Sequence, residues 1–590
     1  MFSPPSAFVW IALGALSVVA HLGLVFHGLV PNLVSRPLHM ALILPWVFIA
    51  PATTRAGLAV GTVITALGLG GCLWVALNHV SLSNQYGFLE NGFQIAMAVV
   101  LLAIVIEGAR RMIGWPLPLV ALTTLAYGLF GQYIPGEFGH AGTPLASFLG
   151  TLTITEGGIW SSLTGVSVGV VSVFVIFGAV LNAGEAGQGF MNAASAAAGR
   201  LSGGAAKVSV LSSALFGSIS GSASANVAST GAITLPAMTR LGYPRRIAGA
   251  VEAVASSGGQ IMPPLMGAGA FVMVELTGVP YTEIVLAALL PAILYFFTVW
   301  VGIDAFASRH PLRGLPADDQ PSKRDVIVTS LFFLVPFSVL LGAMFVLGYT
   351  PQYSAALAVL LAFVALFFDG HRGFAPRQGL TRVAGAMVAC GRQIAMIAAI
   401  ILCASIVIGV LGITGLGVKL TSAIIAGSGG EVWPTLLLTA LACLILGMEV
   451  PTTAAYVICV SVAGPALTGL GIEPLQAHLF VFWFALLSTI TPPVCGAVFI
   501  AAGMVGENWL KVAMAAMALG VGLYVIPLGM IANPALIDIA DRPLMALLVG
   551  VQMAIGLTGV SFGLISRWRL PARAAALVGG GLVIFAPVLI

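Results

Sequence analysis

GRLSGGAAKVSVLSSALFGSISGSASANVASTGAITLPAMTRLGYPRRIAGAVEAVASSGGQIMPPLMGAGAF, residues 199–271, sets two elements that a continuous helix does not tolerate among apolar runs. The first, GSISGSASANV (217–227), is dense in Gly and Ser; the second, GGQIMPPLMGAGAF (258–271), has Pro263 and Pro264 at its centre. Proline in a helix interior removes a backbone hydrogen bond and clashes with the preceding turn, and glycine adopts dihedrals that other residues avoid. Both elements are therefore expected to unwind.

The same order recurs further along the chain. GMEVPTTAAYV (447–457) precedes STITPPVCGAVF (488–499), and the separation of Val457 from Pro492 nearly equals that of Val227 from Pro263. Small residues at every fourth position also let two uninterrupted helices approach closely, so one Ser/Gly run alone is ambiguous. The paired Pro-Pro elements favour interruption, and an internal repeat of broken helices is a pattern of membrane transport folds.

Working outward, the whole chain has the composition of a membrane protein. Of its 590 residues 59% are hydrophobic and 7% charged, against roughly 25% charged in soluble domains. Apolar runs long enough to cross a bilayer recur from Phe8 nearly to Ile590, and about fourteen to sixteen spans are expected. The runs are continuous rather than short and alternating, so the fold class is an all-α polytopic membrane protein and not a β-barrel. The 72 glycines suit close helix packing and broken helices. The amino-terminal MFSPPSAFVW has no basic n-region, and its apolar run reads as a retained first helix.

Basic residues fall in short loops: Arg110 and Arg111, Arg245 and Arg246, Arg309 to Arg324, Arg372 to Arg382, and Arg567 to Arg573. They mark cytoplasmic ends rather than a nucleic-acid face. Spans near 7–30, 39–52, 56–78 and 92–108 delimit a small four-helix domain, 1–110. A large domain follows over 111–542, with repeats at 160–305 and 385–525 parted by the polar stretch SRHPLRGLPADDQPSKRD (308–325). Residues 543–590 read as two appended helices.

The broken helices define the candidate site. Half-helix amino termini offer free N–H groups and the positive end of the dipole to anions, while unwound carbonyls and hydroxyls ligate a hard monovalent cation. The hydroxyls are those of Ser218, Ser220, Ser222, Ser224, Thr452, Thr453, Ser488 and Thr491, with the amides of Asn226 and Gln260 able to orient either ligand. A carboxylate solute together with sodium suits both. Glu449, inside the second motif, and Glu252, before the first Pro-Pro element, are costly within apolar spans and are candidates for a coupling or proton role, or else brace a neighbouring helix. Glu275 lies at a span end, where interfacial exposure accounts for it.

At residues 199–271, with EGARRMIGW (107–115) and TPPVCG (491–496) in agreement, the chain resembles the fused membrane subunit of tripartite ATP-independent periplasmic (TRAP) transporters, in the branch served by TAXI-type binding proteins. The resemblance covers most of the chain. It implies a small four-helix subunit fused to a large elevator-type subunit in the bacterial inner membrane, with two inverted repeats that each hold a helical hairpin and a discontinuous helix. It also implies a soluble periplasmic TAXI-type protein that delivers an organic acid anion, uptake driven by sodium, and no cofactor beyond that ion. By position it places one hairpin tip at Ser220, Gly221, Ser222, Ser224 and Asn226, and its broken helix at Gly259, Gln260, Pro263 and Pro264. The second set is Gly447, Glu449, Pro451, Thr452 and Thr453, with Thr491, Pro492 and Pro493. Sodium ligands are expected among Ser220, Ser222, Thr452, Thr491 and nearby carbonyls. Glu449 and Val450 before Pro451 depart from the family pattern, which leaves proton coupling open.

Other classes fare worse. There is no G-x-x-x-x-G-K-[ST] motif, and GRLSGGAAK (199–207) has its glycines and lysine at the wrong spacing for an ATP site. The eight histidines are dispersed and the six cysteines lack metal or disulfide spacing, which disfavours a membrane enzyme. A passive channel is the nearer alternative, because unwound helices also line pores.

Overall fold

In hydrocarbon every peptide group must find its partner within the protein, so apolar runs of this length fold as helices. The computed structural model describes residues 7–310, 312–371, 373–447, 452–492 and 495–587. Ten helices among them are long and apolar enough to cross a membrane, and seven further apolar helices are 10–17 residues long. Long spans are thus fewer than expected. The difference lies in runs that are broken into short helices, such as Gly204–Ser220, Val432–Leu446, Pro474–Leu487 and Gly496–Val505. The one sheet among the described residues is a two-stranded ribbon pairing Phe368 with Phe374.

The chain divides into two compact units whose segments alternate along the sequence: Met1–Ala183, Val339–Thr435 and Val460–Gly469 in one, and Gly184–Ser338, Leu436–Cys459 and Leu470–Ile590 in the other.

The first unit is organised around Pro376–Thr414, a 39-residue helix. At 1.5 Å per residue it is about 58 Å long, nearly twice the thickness of a bilayer core. Helices Ala7–His27, Asn32–Phe48, Gly92–Ile113 and Pro116–Phe130 pack along it. Small residues make the approach close: a Cβ on Gly14 would lie 2.1 Å from the Met387 carbonyl oxygen, and one on Gly391 would lie 2.3 Å from Trp46 Cζ2.

A buried polar chain ties the first two helices to the π-helical turn Ser167–Val171. His21 Nδ1 lies 2.6 Å from Ser17 O, His21 Nε2 2.7 Å from His39 Nδ1, and His39 Nε2 2.9 Å from Ser167 Oγ. With both rings neutral one hydrogen order satisfies every link: Ser167 donates to His39, His39 to His21, and His21 to Ser17 O.

In the second unit the helix Tyr281–Ala307 is largely buried and carries the carboxyl-terminal pair Pro543–Ile565 and Leu570–Phe585. No role for this pair follows from its residues alone. In the structure glycines pack it into the unit and its two helices onto each other: a Cβ on Gly550 would lie 3.0 Å from Leu290 Cδ2, and one on Gly580 would lie 2.5 Å from Gly556 O.

Two stability predictions follow from these contacts. Gly580→Leu forces a side chain into the facing backbone and should cost about 1–3 kcal/mol. Gly579→Leu, where a Cβ meets nothing within 4 Å, should stay within about 0.5 kcal/mol; thermal unfolding in detergent separates the two. In the first unit His39→Leu strands the His21 and Ser167 groups and should cost about 1–3 kcal/mol. Adding His21→Leu should then cost less than the two single effects summed, as read in a double-mutant cycle.

Candidate functional site

The Gly/Ser element at 217–227 folds as a hairpin tip. Helix Gly204–Ser220 ends at Gly221, whose φ of +62° is left-handed and open to glycine. Ser222 is extended and caps the next helix, Ala223–Arg240, its Oγ accepting from Ala225 N at 3.3 Å. Nothing is described of the Ser220 side chain.

The Pro-Pro element breaks a helix, as its prolines require. Arg245–Gly258 ends in a single 3-10 turn, Gly259–Ile261, and helix resumes only at Gly269–Thr277. Between them Pro263 is buried and Pro264 half-buried, and the Tyr281 hydroxyl donates to the Pro264 carbonyl.

The hairpin lies directly on this break. A Cβ on Gly217 would be 2.4 Å from Gly259 Cα, and one on Gly221 would be 3.0 Å from Gly267 Cα. Asn226, fully buried, locks the three segments: its Nδ2 donates to Ser213 O at 3.0 Å and Ser256 O at 3.4 Å. Its amide is thereby committed to backbone rather than to an open face. Ser224, beside it, is exposed and faces the start of helix Gly496–Val505, its Oγ lying 4.0 Å from where a Gly496 Cβ would be.

The second repeat is built alike where it is described. Val432–Leu446 ends at Gly447, and Thr452–Gly469 leads away from the tip. Gly447 rests on the end of Pro474–Leu487, where its Cβ would lie 3.1 Å from Ala485 O and 3.3 Å from Ser488 Oγ. Ser488 donates to Ala485 O at 2.9 Å, and Thr491 Oγ1 lies 2.7 Å from both Leu487 O and Tyr524 Oη. Thr453 and Pro492 are half-buried. Glu449, Pro451 and Pro493 lie outside the described residues.

Among the described residues two hydrogen bonds join the repeats. The Thr452 hydroxyl donates to Gln260 Oε1, and Thr489 Oγ1 donates to Ser257 Oγ at 2.9 Å. The start of the second hairpin's outgoing arm thus meets the first broken helix, and the ends of the two interrupted helices meet each other. Sequence reasoning found Thr452 and Gln260 but not their pairing, and it missed Ser257, Thr489 and Tyr524 altogether. Ser257 and Thr489 each stand within a few residues of a Pro-Pro element, which is the signal that marks them.

Chemically the region is a cluster of hydroxyls and freed carbonyls between helix ends. Thr452 and Thr491 spend their hydrogens on protein acceptors, Gln260 Oε1 and Leu487 O. Thr491 then accepts from Tyr524, which leaves it one lone pair, and Thr452 keeps two. The helix starts at Ala223, Gly269 and Gly496 direct N–H groups and positive dipole ends toward the tips and breaks.

Residues 96–545 match the family described as "Tripartite ATP-independent periplasmic transporter, DctM component". Among curated relatives, the chain is 27% identical over 340 residues to the C4-dicarboxylate TRAP transporter large permease protein DctM of Pseudomonas aeruginosa, covering 56% of this chain and 76% of that one. It is 24% identical over 436 residues to the isethionate TRAP transporter permease protein DctMQ of Oleidesulfovibrio alaskensis, 69% of this chain and 67% of that one. Identity to the ectoine TRAP transporter large permease protein TeaC of Halomonas elongata is 23% over 416 residues, 68% of this chain and 89% of that one. The match takes in both hairpins and both broken helices, so the chain belongs to the DctM family of TRAP transporter permeases, a multi-pass transporter of the bacterial inner membrane rather than an enzyme.

Proposed function

We propose that this permease imports an organic acid anion delivered by a soluble periplasmic solute-binding protein of the TAXI type, and that the inward sodium gradient drives it. The observation that carries this reading is the meeting of two interrupted helix pairs within one unit, joined by the Thr452–Gln260 and Ser257–Thr489 bonds. Backbone freed at that depth serves a wet binding site. Helix starts suit a carboxylate, and oxygens with unspent lone pairs suit sodium, with Ser220, Ser222, Thr452 and Thr491 the proposed ligands. The names of the relatives, which refer to C4-dicarboxylate, isethionate and ectoine, support a small organic solute. Residues 1–110 are proposed to serve as the small subunit and 111–542 as the large, elevator-type subunit.

The test is uptake of a labelled organic acid panel into proteoliposomes, with the purified binding protein from the same genome and imposed cation gradients. Uptake should require both the binding protein and an inward sodium gradient. Ser222→Ala and Thr452→Val should each reduce it by about tenfold or more, the scale of a lost ligand to a charged group at roughly 1.5–3 kcal/mol. Flux that ignores the partner and cannot be driven uphill would instead establish a channel.

A further inference from the structure

Glu252 is fully buried in the middle of helix Arg245–Gly258, less than two turns before the helix ends. Hydroxyls from three helices close on its carboxyl group. Ser209 Oγ lies 2.8 Å from Oε2 and Ser256 Oγ 3.2 Å from Oε1, and the Thr230 and Thr234 hydroxyls reach Oε1 and Oε2 respectively. The fit is close: a Cβ on Gly231, between those two threonines, would lie 3.2 Å from Glu252 Cγ.

Charged groups on the packed elements are engaged elsewhere. Lys207 on Gly204–Ser220 pairs with Asp304 of Tyr281–Ala307 at 2.7 Å, and Arg240 on Ala223–Arg240 pairs with Asp319 at 2.5 Å. Lys511 on Trp509–Leu519 pairs with Glu507 at 3.4 Å, and Gly496–Val505 carries no titratable side chain. Tyr295 on Tyr281–Ala307 donates to Val254 O at 2.7 Å, while Tyr281 and Glu283 stand at the far start of that helix, and Arg245 and Arg246 at the start of Glu252's own. Among the described residues no cation bonds the Glu252 carboxyl.

The cage serves both forms of the acid. With Glu252 ionised, all four hydroxyls can donate to it. With a proton on the carboxyl, Thr230 turns its hydrogen to Asn226 O at 2.8 Å and Thr234 to Thr230 O at 3.0 Å. An oxygen of either threonine then accepts from the acid, and no group is stranded. A carboxylate that could only be charged would instead need a buried counter-cation.

The cage is also connected in two directions. Thr234 lines a cavity of about 470 Å³ that also involves Gln188, Asn192, Arg240, Asp319 and Gln320, and so leads to the polar end of the hairpin. On the other side Thr230 is bonded to Asn226, the residue that locks the hairpin to the broken helix.

From this geometry we propose that Glu252, with Ser209, Thr230, Thr234 and Ser256, is a proton-binding site of the transport unit, filled and emptied through the cavity at Thr234 and linked to the hairpin through Thr230 and Asn226. It rests on the reading of the chain as a cation-coupled permease and adds a proton to the sodium of that reading.

Two measurements test it. Infrared difference spectra of the full chain in lipid, titrated with acid, should show a carboxyl band in the wild type that is missing from Glu252→Gln. Identical spectra overturn the site. Should that variant fail to fold, Thr234→Val keeps the acid and removes one partner, and the band's midpoint should shift; an unmoved midpoint overturns the site equally. In proteoliposomes at a fixed sodium gradient, an inward proton gradient should add to uptake in the wild type and add nothing in Glu252→Gln, whose solute counterflow reports a folded carrier. A proton response that persists in the variant, or normal sodium-driven uptake with no proton response in the wild type, overturns the proposal. A titrating Glu252 in a chain that shows no driven uptake at all supports the site and removes the transport reading instead.

Discussion

A peptide group released from its helix cannot be left facing lipid, and that constraint shapes everything around the two repeats. An unsatisfied amide or carbonyl in hydrocarbon costs several kcal/mol. Each place where Gly, Ser or Pro frees backbone must therefore be sheltered by other protein or face a wet cavity. Where they are described, the two hairpins rest on the broken helices, Gly217 against Gly259 and Gly447 against Ser488. The same constraint is why Asn226 gives its amide to two backbone carbonyls. The small residues that make the breaks also permit the close approach that shelters them.

This constraint made much of the architecture legible in advance. The hairpin turn at Gly221–Ser222 and the break between Gly258 and Gly269 follow from the residue types alone, since glycine, a capping serine and paired prolines each act locally. In the amino-terminal group the starts expected at 56 and 92 fall beside the capping residues Thr54 and Asn91 of Arg55–Leu77 and Gly92–Ile113, whereas the span expected at 39–52 is the helix Asn32–Phe48, which begins among the polar residues Asn32, Ser35 and Arg36. The two compact units were not legible, because their segments alternate along the chain. Nor was the packing of Pro543–Ile565 on Tyr281–Ala307, which depends on Gly550 meeting Leu290. The cage around Glu252 was legible only in part. Thr230 with Thr234 and Glu252 with Ser256 have helical i, i+4 spacing, but the two threonines and Ser209 reach the acid from two other helices.

The polar groups of the two units are used differently. In the first unit the His21–His39–Ser167 chain has one hydrogen order with neutral rings, and every member is used up in holding helices together. In the second unit Thr230, Thr234, Thr452 and Thr491 each lie within reach of a protein acceptor and still have lone pairs to offer. A hydroxyl has one hydrogen and two lone pairs, so a group that donates structurally can accept functionally. Serine and threonine can therefore satisfy the membrane's demand for paired polar groups and bind an ion with the same atom.

The economy of shared atoms has a consequence for how occupancy is communicated. Thr452 belongs to one repeat and its acceptor Gln260 to the other, and Thr489 and Ser257 cross in the same way. On the proposed sodium reading, a cation at the lone pairs of Thr452 would polarise its O–H toward Gln260 and strengthen the link between the second hairpin and the first broken helix. Losing that cation would weaken the link. A hairpin therefore cannot change its contacts without altering the hydrogen bonding of the opposite repeat, and no separate relay is needed between them. Bonds whose strength depended on what is bound would supply the state-dependent contact energy that any ligand-driven shift requires.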